Sequence, residues 1–177
     1  MYDLVIHAGR VVCPRTGSDG PSKVAIKGDR IAAVGNNFEG EKRIDLPDAI
    51  LLPGLIDLHA HPGRERMVFH GAEPDKHMLP NGVTTMLSQG DAGADNFEEY
   101  LERTIKPSRA RVLMALNLSR KGELASGAFA NPDDADVDAC VATVTVHPEH
   151  IWGIAVNTSR NACGETDPRL IAQRGLE

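Results

Sequence analysis

Apolar and polar positions alternate with a period of two through much of the first fifty residues. Tyr2, Leu4 and Ile6 alternate with Asp3, Val5 and His7. Val24 and Ile26 alternate with Lys23, Ala25 and Lys27, and Ile44 and Leu46 with Arg43 and Asp45. This period predicts short strands with two different faces. Gly28-Asp29 predicts a tight hairpin turn into a strand over residues 30–34. Glycine and proline punctuate the gaps at Pro14, Gly17, Gly20-Pro21 and Gly35. Residues 1–53 therefore read as a small β unit, part of a sandwich.

After Pro53-Gly54 the pattern changes. Short apolar runs that lack alternation appear at 55–58, 82–87, 111–118 and 151–156. Between them lie segments with helical spacing. Phe97, Tyr100, Leu101, Thr104 and Ile105 fall at i, i+3, i+4, i+7 and i+8. Asp95 and Glu98 predict a capping box at the start of that helix. Asn131-Pro132-Asp133-Asp134 predicts the opening of another helix, with Val137, Cys140, Val141 and Val144 as its apolar stripe. Asp167-Pro168 predicts a last one, and residues 74–80 have weak helical character. Continuous apolar strands alternating with helices imply a parallel sheet covered by helices. Residues 54–177 thus read as about four strand–helix units: either an open doubly wound sheet or the first half of a TIM-type β/α barrel.

Composition narrows the functions. The 177 residues are 41% hydrophobic, enough for a packed core. A net charge of −6 argues against a nucleic-acid or anionic-membrane surface, since both need clustered Lys and Arg. No apolar stretch approaches the roughly 20 residues of a membrane span, and the N-terminus lacks the basic leader of a signal peptide. Cys13, Cys140 and Cys163 are too far apart for a CxxC pair, which suits a reducing, cytoplasmic setting. Cys140 is expected in the core. A dinucleotide-binding reading needs a GxGxxG turn after the first strand, and the nearest stretch, Gly90 to Ala94, lacks that pattern.

The chemistry concentrates in Leu51 to Gly63, LLPGLIDLHAHPG. His59 and His61 are two residues apart at the C-terminal end of the first apolar strand. In a strand they share a face, and that end is where parallel α/β folds build sites. Two neutral imidazoles on one face can bind one divalent metal, most often zinc. Asp57, on the same face, is a further candidate ligand or a group that orients a histidine. A bare HxH is more often incidental, with both rings satisfied locally. The Pro-Gly turn, apolar strand, aspartate and following Pro62 narrow that reading.

PGLIDLHAHPG resembles the first metal-binding motif of the amidohydrolase superfamily, which includes dihydroorotases, hydantoinases, D-aminoacylases and related deacetylases. The opening YDLVIHAGRVVCP and KVAIKGDRIAAVG resemble its N-terminal β segment. NGVTTMLSQGDAGADNFEEYL resembles its second strand and helix, nearest the deacetylase and dihydroorotase-like branch, and HIWGIAVNTSR its fourth strand. The resemblance implies a zinc-dependent hydrolase of amide or cyclic amide bonds, acting on a small-molecule substrate. His59 and His61 match two metal ligands, and Asp57 the acid before them. Many members bridge two metals with a carboxylated lysine on the fourth strand, where this chain has Ala155. One divalent metal is therefore expected rather than a bridged pair. The family's remaining histidines and its catalytic aspartate fall beyond residue 177. A partner chain or self-association is expected to complete the barrel. The alternative is a non-catalytic half-barrel subunit or scaffold that assembles with a partner.

Other polar residues fall at strand ends. Gln89, Asp91, Asn117 and Asn157 are the candidate substrate contacts, with Ser119, Arg120, Ser159 and Arg160 beside them. His70, His77, His147 and His150 read as solvated or capping residues, and His7 has no partner pattern.

Overall fold

The alternating segments become strands β1 Tyr2–Cys13, β2 Ser18–Lys27, β3 Arg30–Gly35 and β4 Gly40–Leu51 in a computed structural model, which describes residues 1–63, 71–123 and 127–177. They form one mixed sheet in the order β3-β2-β1-β4. Antiparallel ladders join β1 to β2 and β2 to β3, while β4 lies parallel to β1. The predicted hairpin is present: Lys27 pairs with Arg30 across Gly28-Asp29. Asp3 holds this turn, accepting from the Gly28 amide at 2.7 Å and from the Lys27 ammonium.

Strict alternation fails in β1, where the buried apolar residues are Val5, Ala8 and Val11. The register shifts after Ala8 against both neighbouring strands. Gly9 sits in that irregularity, and a Cβ there would lie 1.8 Å from the Pro47 carbonyl oxygen. Only a residue without a side chain lets β1 approach β4 so closely. Ala8, Val11 and Val24 form the core of this unit, with Ile26, Val34 and Leu51 packed against them.

Met1–Pro53 and Gly54–Glu177 are separate compact units. The second holds strands β5 Leu55–Ala60, β6 Val83–Gln89, β7 Arg111–Asn117 and β8 Ile151–Ala155. All are parallel, in the order β5-β6-β7-β8. The chain is therefore a mixed α/β protein with a parallel sheet. Its apolar runs are continuous because the middle of the sheet is covered: in β7, Val112 and every residue from Met114 to Asn117 are buried. Phe97, Tyr100, Leu101 and Ile105 pack with Val112, Met114, Leu116, Phe129, Cys140 and Ile171 in one core.

The helices depart from expectation in detail. The stripe from Phe97 is buried as predicted, but it is wound as helix α1 Phe97–Tyr100 continuing into a π turn over Leu101–Ile105. The capping box is absent. Asn96, not Asp95, is the N-cap and makes no side-chain cap bond. Asp95 instead accepts from the Arg120 guanidinium at 2.8 and 3.0 Å, a stronger charged partner than an amide. Pro132–Asp134 is a single 3₁₀ turn. Helix α2, Val137–Val146, starts three residues later, because Asp136 caps it by accepting from Ala139 N at 2.9 Å. Cys140 is buried, with Val137 and Val144 packed on the core, but Val141 is exposed. A short helix α3, Arg160–Cys163, follows Ser159, and Asp167 caps α4, Pro168–Arg174, as expected. Residues 74–81 form a π turn, Pro74–Met78, and a 3₁₀ turn, Leu79–Asn81.

Candidate metal centre

His59 is the penultimate residue of β5 and His61 follows the strand's end. Their rings meet edge to face, with centroids 5.6 Å apart and planes at 71°. Asp57 turns back on its own strand, its Oδ1 accepting from the His59 amide at 3.1 Å.

His61 is anchored from just beyond the end of the neighbouring strand β6. Its Nδ1 lies 2.6 Å from Asp91 Oδ1. A carboxylate only accepts, so Nδ1 carries a proton, and in the neutral ring Nε2 keeps the lone pair. Asp91 is 2% exposed. Its other oxygen accepts from Ser88 Oγ at 2.5 Å and has the Tyr100 hydroxyl at 3.4 Å. That hydroxyl donates at closer range to the Pro62 carbonyl. Ser88 and Tyr100 are themselves buried, so this network lies beneath a half-buried His61 ring.

Charge follows the geometry. The hydrogen bond His61 donates to Asp91 raises its pKa above the ordinary value; partial burial opposes the shift, and the charges of Asp91 and Glu123 add to it. Burial pushes the Tyr100 phenol well up, with the Asp91 charge adding, so it stays a neutral donor. Glu123 reaches this neighbourhood through its backbone, whose N–H donates to Gly90 O at 2.9 Å.

The other strand-end candidates have intrachain partners. Gln89 Nε2 donates to Leu58 O at 2.9 Å. Asn117 is buried, donating to Gly90 O at 3.0 Å and accepting from Ser119 N at 2.9 Å. Asn157 donates to Glu123 Oε1 at 2.8 Å and accepts from Ser159 N at 3.0 Å. Ala155, the counterpart of the expected lysine, pairs with Asn117. Ser119 bonds Ala128 O, Arg120 pairs with Asp95 and Asp136, Ser159 caps α3 and Arg160 begins it. The remaining described histidines have intrachain partners. His77 accepts from Glu73 N, His147 ends α2 and pairs with Glu98, and His150 pairs with Glu149. His7 has a partner after all, Asp45 at 2.5 Å. His70 lies outside the described residues.

The sequence reading missed Ser88, Glu123 and the polar role of Tyr100. Ser88 stands three residues before Asp91, and Tyr100 carries the only hydroxylated ring of its helix; both signals are visible but unspecific.

A deacetylase of Agrobacterium fabrum is 33% identical over 159 residues, covering 83% of this chain and 38% of the relative. An adenine deaminase of Brucella anthropi is 39% identical over 109 residues, covering 59% of this chain and 19% of the relative. A solved adenine deaminase aligns at a TM-score of 0.82 and 28% identity, over 98% of this chain and 47% of that one. A solved dihydroorotase aligns at 0.81 and 27%, over 99% and 49%. This chain belongs to the amidohydrolase superfamily. No family model matches it. The amidohydrolase chain spans about two fifths of its first curated relatives and about half of the solved structures.

Membership implies a divalent metal, and the residues present fit part of one site. Two adjacent imidazoles, one held as a defined tautomer by a buried carboxylate, form a suitable nitrogen donor pair. Among the described residues, no group of three or more His, Cys, Asp or Glu side chains is arranged to hold a metal ion. Also among them, no helix is long and apolar enough to cross a membrane.

Proposed function

We propose that this chain forms the first half of a β/α barrel, preceded in sequence by a segment of β-sandwich, and supplies the HxH half of a zinc site. The enzyme to which it contributes hydrolyses an amide or cyclic amide C–N bond of a small molecule. The observation that carries this reading is the His59–His61 ring pair at the end of β5, with His61 anchored on buried Asp91. His59 and His61 would hold the metal, with Asp57, whose Oδ1 accepts from the His59 amide, as a further candidate ligand. When bound, the metal lowers the pKa of its water toward about 7 and polarises the substrate carbonyl.

This chain's own residues bind and orient. His59 and His61 donate nitrogen lone pairs from a strand end, where backbone pairing limits their movement. Gln89, Asn117 and Asn157 line the ends of β6, β7 and β8, which suits the substrate side of the site. Ala155 leaves no lysine for a bridge, which favours one metal over two. The other ligands and the catalytic acid come from outside these 177 residues. Three unpaired cysteines fit a cytoplasmic enzyme.

Metal analysis tests this reading. The purified chain, with the remaining barrel half supplied, should carry zinc, and His59→Ala/His61→Ala should lose it. Equal metal in both would overturn the proposal.

A second reading is assembly of a non-catalytic half-barrel with a partner chain. Its support is the exposed apolar set Ile56, Leu58 and Trp152 on the edge strands β5 and β8. A stable monomer in a sizing experiment, unchanged by candidate partners, would overturn it.

A further inference from the structure

His61 differs from His59 in one respect that matters for a ligand: its ring is tied to the segment that follows a second strand. We propose that Asp91, braced by Ser88 and Tyr100, is a positioning residue that fixes His61 as its Nδ1–H tautomer and presents Nε2 as the donor. This rests on the metal-site reading above, and it gives Asp91 a role beneath the ligand rather than at the substrate.

Three observations converge on it. First, the contact has one polarity. Asp91 Oδ1 lies 2.6 Å from Nδ1 and can only accept, so the proton must sit on Nδ1. An imidazole left to water prefers the opposite tautomer, with the proton on Nε2, which cannot bind a metal through that atom. Second, the carboxylate is itself held. Ser88 Oγ donates to Oδ2 at 2.5 Å, and the carboxylate is too buried for water to take that place. Third, the support spans separate elements. Tyr100 on α1 donates to the Pro62 carbonyl, immediately after His61, while standing 3.4 Å from Asp91 Oδ2. One phenol thus touches both the backbone that carries His61 and the carboxylate that orients it. The ring is fixed at Nδ1 and its backbone one residue later.

The arrangement also explains an asymmetry. Among the described residues, His59 has no such carboxylate; Asp57, the acid near it, places Oδ1 on the His59 backbone amide. Of the two imidazoles, His61 is the one the described residues preorganise. Outer partners of this kind typically change metal affinity about 10- to 100-fold when removed.

The test reads ring-nitrogen 15N shifts of the metal-free 177-residue chain at pH 9, assigned with His61→Gln. Wild type should show His61 protonated at Nδ1. Asp91→Ala should move it toward the Nε2–H form, with circular dichroism checking that the fold persists. Asp91→Asn keeps an acceptor at Oδ1 and should restore the Nδ1–H form, which a purely structural role for Asp91 would not require. Zinc competition against a chelator should show a loss of about 10- to 100-fold for Asp91→Ala and a smaller one for Asp91→Asn. An Nε2–H signal in wild type, or equal shifts in wild type and Asp91→Ala, would overturn the proposal. If wild type shows the Nδ1–H form but takes up no zinc, the metal reading falls while the positioning of His61 stands. If zinc binds equally to wild type and a folded Asp91→Ala, the metal reading stands and the role of Asp91 falls.

Discussion

The two four-stranded sheets bury their residues in different ways. The first has the longer strands, two of them 12 residues, yet its buried core is small: Ala8, Val11 and Val24. Ile31, Ile44, Leu46 and Ile50 remain exposed. The second has strands of 5 to 7 residues, yet it buries Met86, Phe97, Tyr100, Met114, Leu116 and Phe129 almost completely. Strand length does not set burial; a second layer does. In the second unit, helices between the strands supply that layer. The difference matters for function, because a site holds its geometry only on elements that are themselves packed. Ser88, Asp91 and Tyr100 all belong to the better-packed unit.

The sharpest break between the units should come from core truncation. Phe129 is fully buried in the core of the second unit. Phe129→Ala should cost about 3–5 kcal/mol, from lost transfer energy plus a cavity. Val24→Ala removes two methyl groups from a smaller, shallower core, and about 1.5 kcal/mol is expected at roughly 0.8 kcal/mol per group. Urea unfolding of both variants measures this. A larger loss from Val24 would reverse the proposed ranking of the two cores.

How much was legible in the sequence follows the same division. The strands of the second unit were readable because β-branched and apolar runs alternate with helical spacing, and burial on both sides of the central strands demands such runs. The break in β1 was not readable: Ala8 and Val11, three residues apart, share one core only because the chain bulges at Gly9, where it meets Pro47. A period of two carries no signal for that. Helix starts were misplaced where two acids compete. Asp95 looked like a cap, but Arg120, 25 residues away, took it. At the site, the convergence of His59 and His61 came from strand periodicity alone. The place of Asp91 beneath His61 did not, since it depends on pairing of β5 with β6 across 30 residues. Tyr100 was read for its apolar spacing, and its hydroxyl went unused in that reading.

A glycine pair probes how tightly each unit constrains its turns. Gly28, in the hairpin of the first unit, has φ of 59°, and a Cβ there would meet nothing within 4 Å. Gly28→Ala should therefore cost only the left-handed penalty, about 1–2 kcal/mol. Gly122 has φ of 70°, but its Cβ would lie 2.7 Å from the Asp91 carbonyl oxygen and from Ala92 Cα. Gly122→Ala adds overpacking of about 1–3 kcal/mol to the same penalty. It also pushes on the backbone of Asp91, so the His61 15N signal should shift with it. Equal stability losses for the two variants would mean that the turn beside Asp91 yields as freely as an open hairpin.

The smallest perturbation leaves the fold untouched and asks only which thiols react. Cys13, half-buried in the first unit, has its pKa lowered by hydrogen bonds with Thr16. Cys140, in the core of the second, is pushed up to about 11 by burial, with the Asp136 charge adding to it. Burial also raises Cys163. The thiolate is the reactive form, so a pKa near 11 leaves about one thiolate per thousand thiols at pH 8. Iodoacetamide at pH 8, followed by peptide mass spectrometry, should label Cys13 first. Cys140 and Cys163 should follow slowly, because their modification waits for the second unit to open. Raising the pH from 7 to 9 should speed Cys13 least in relative terms, since its thiolate forms earliest. In mild urea the lag of Cys140 should shorten, and Phe129→Ala should shorten it further by weakening the same core. Labelling of Cys140 as fast as half-buried Cys13 in the native chain would show the second unit opening freely, and its packing could then not be what holds Asp91 beneath His61.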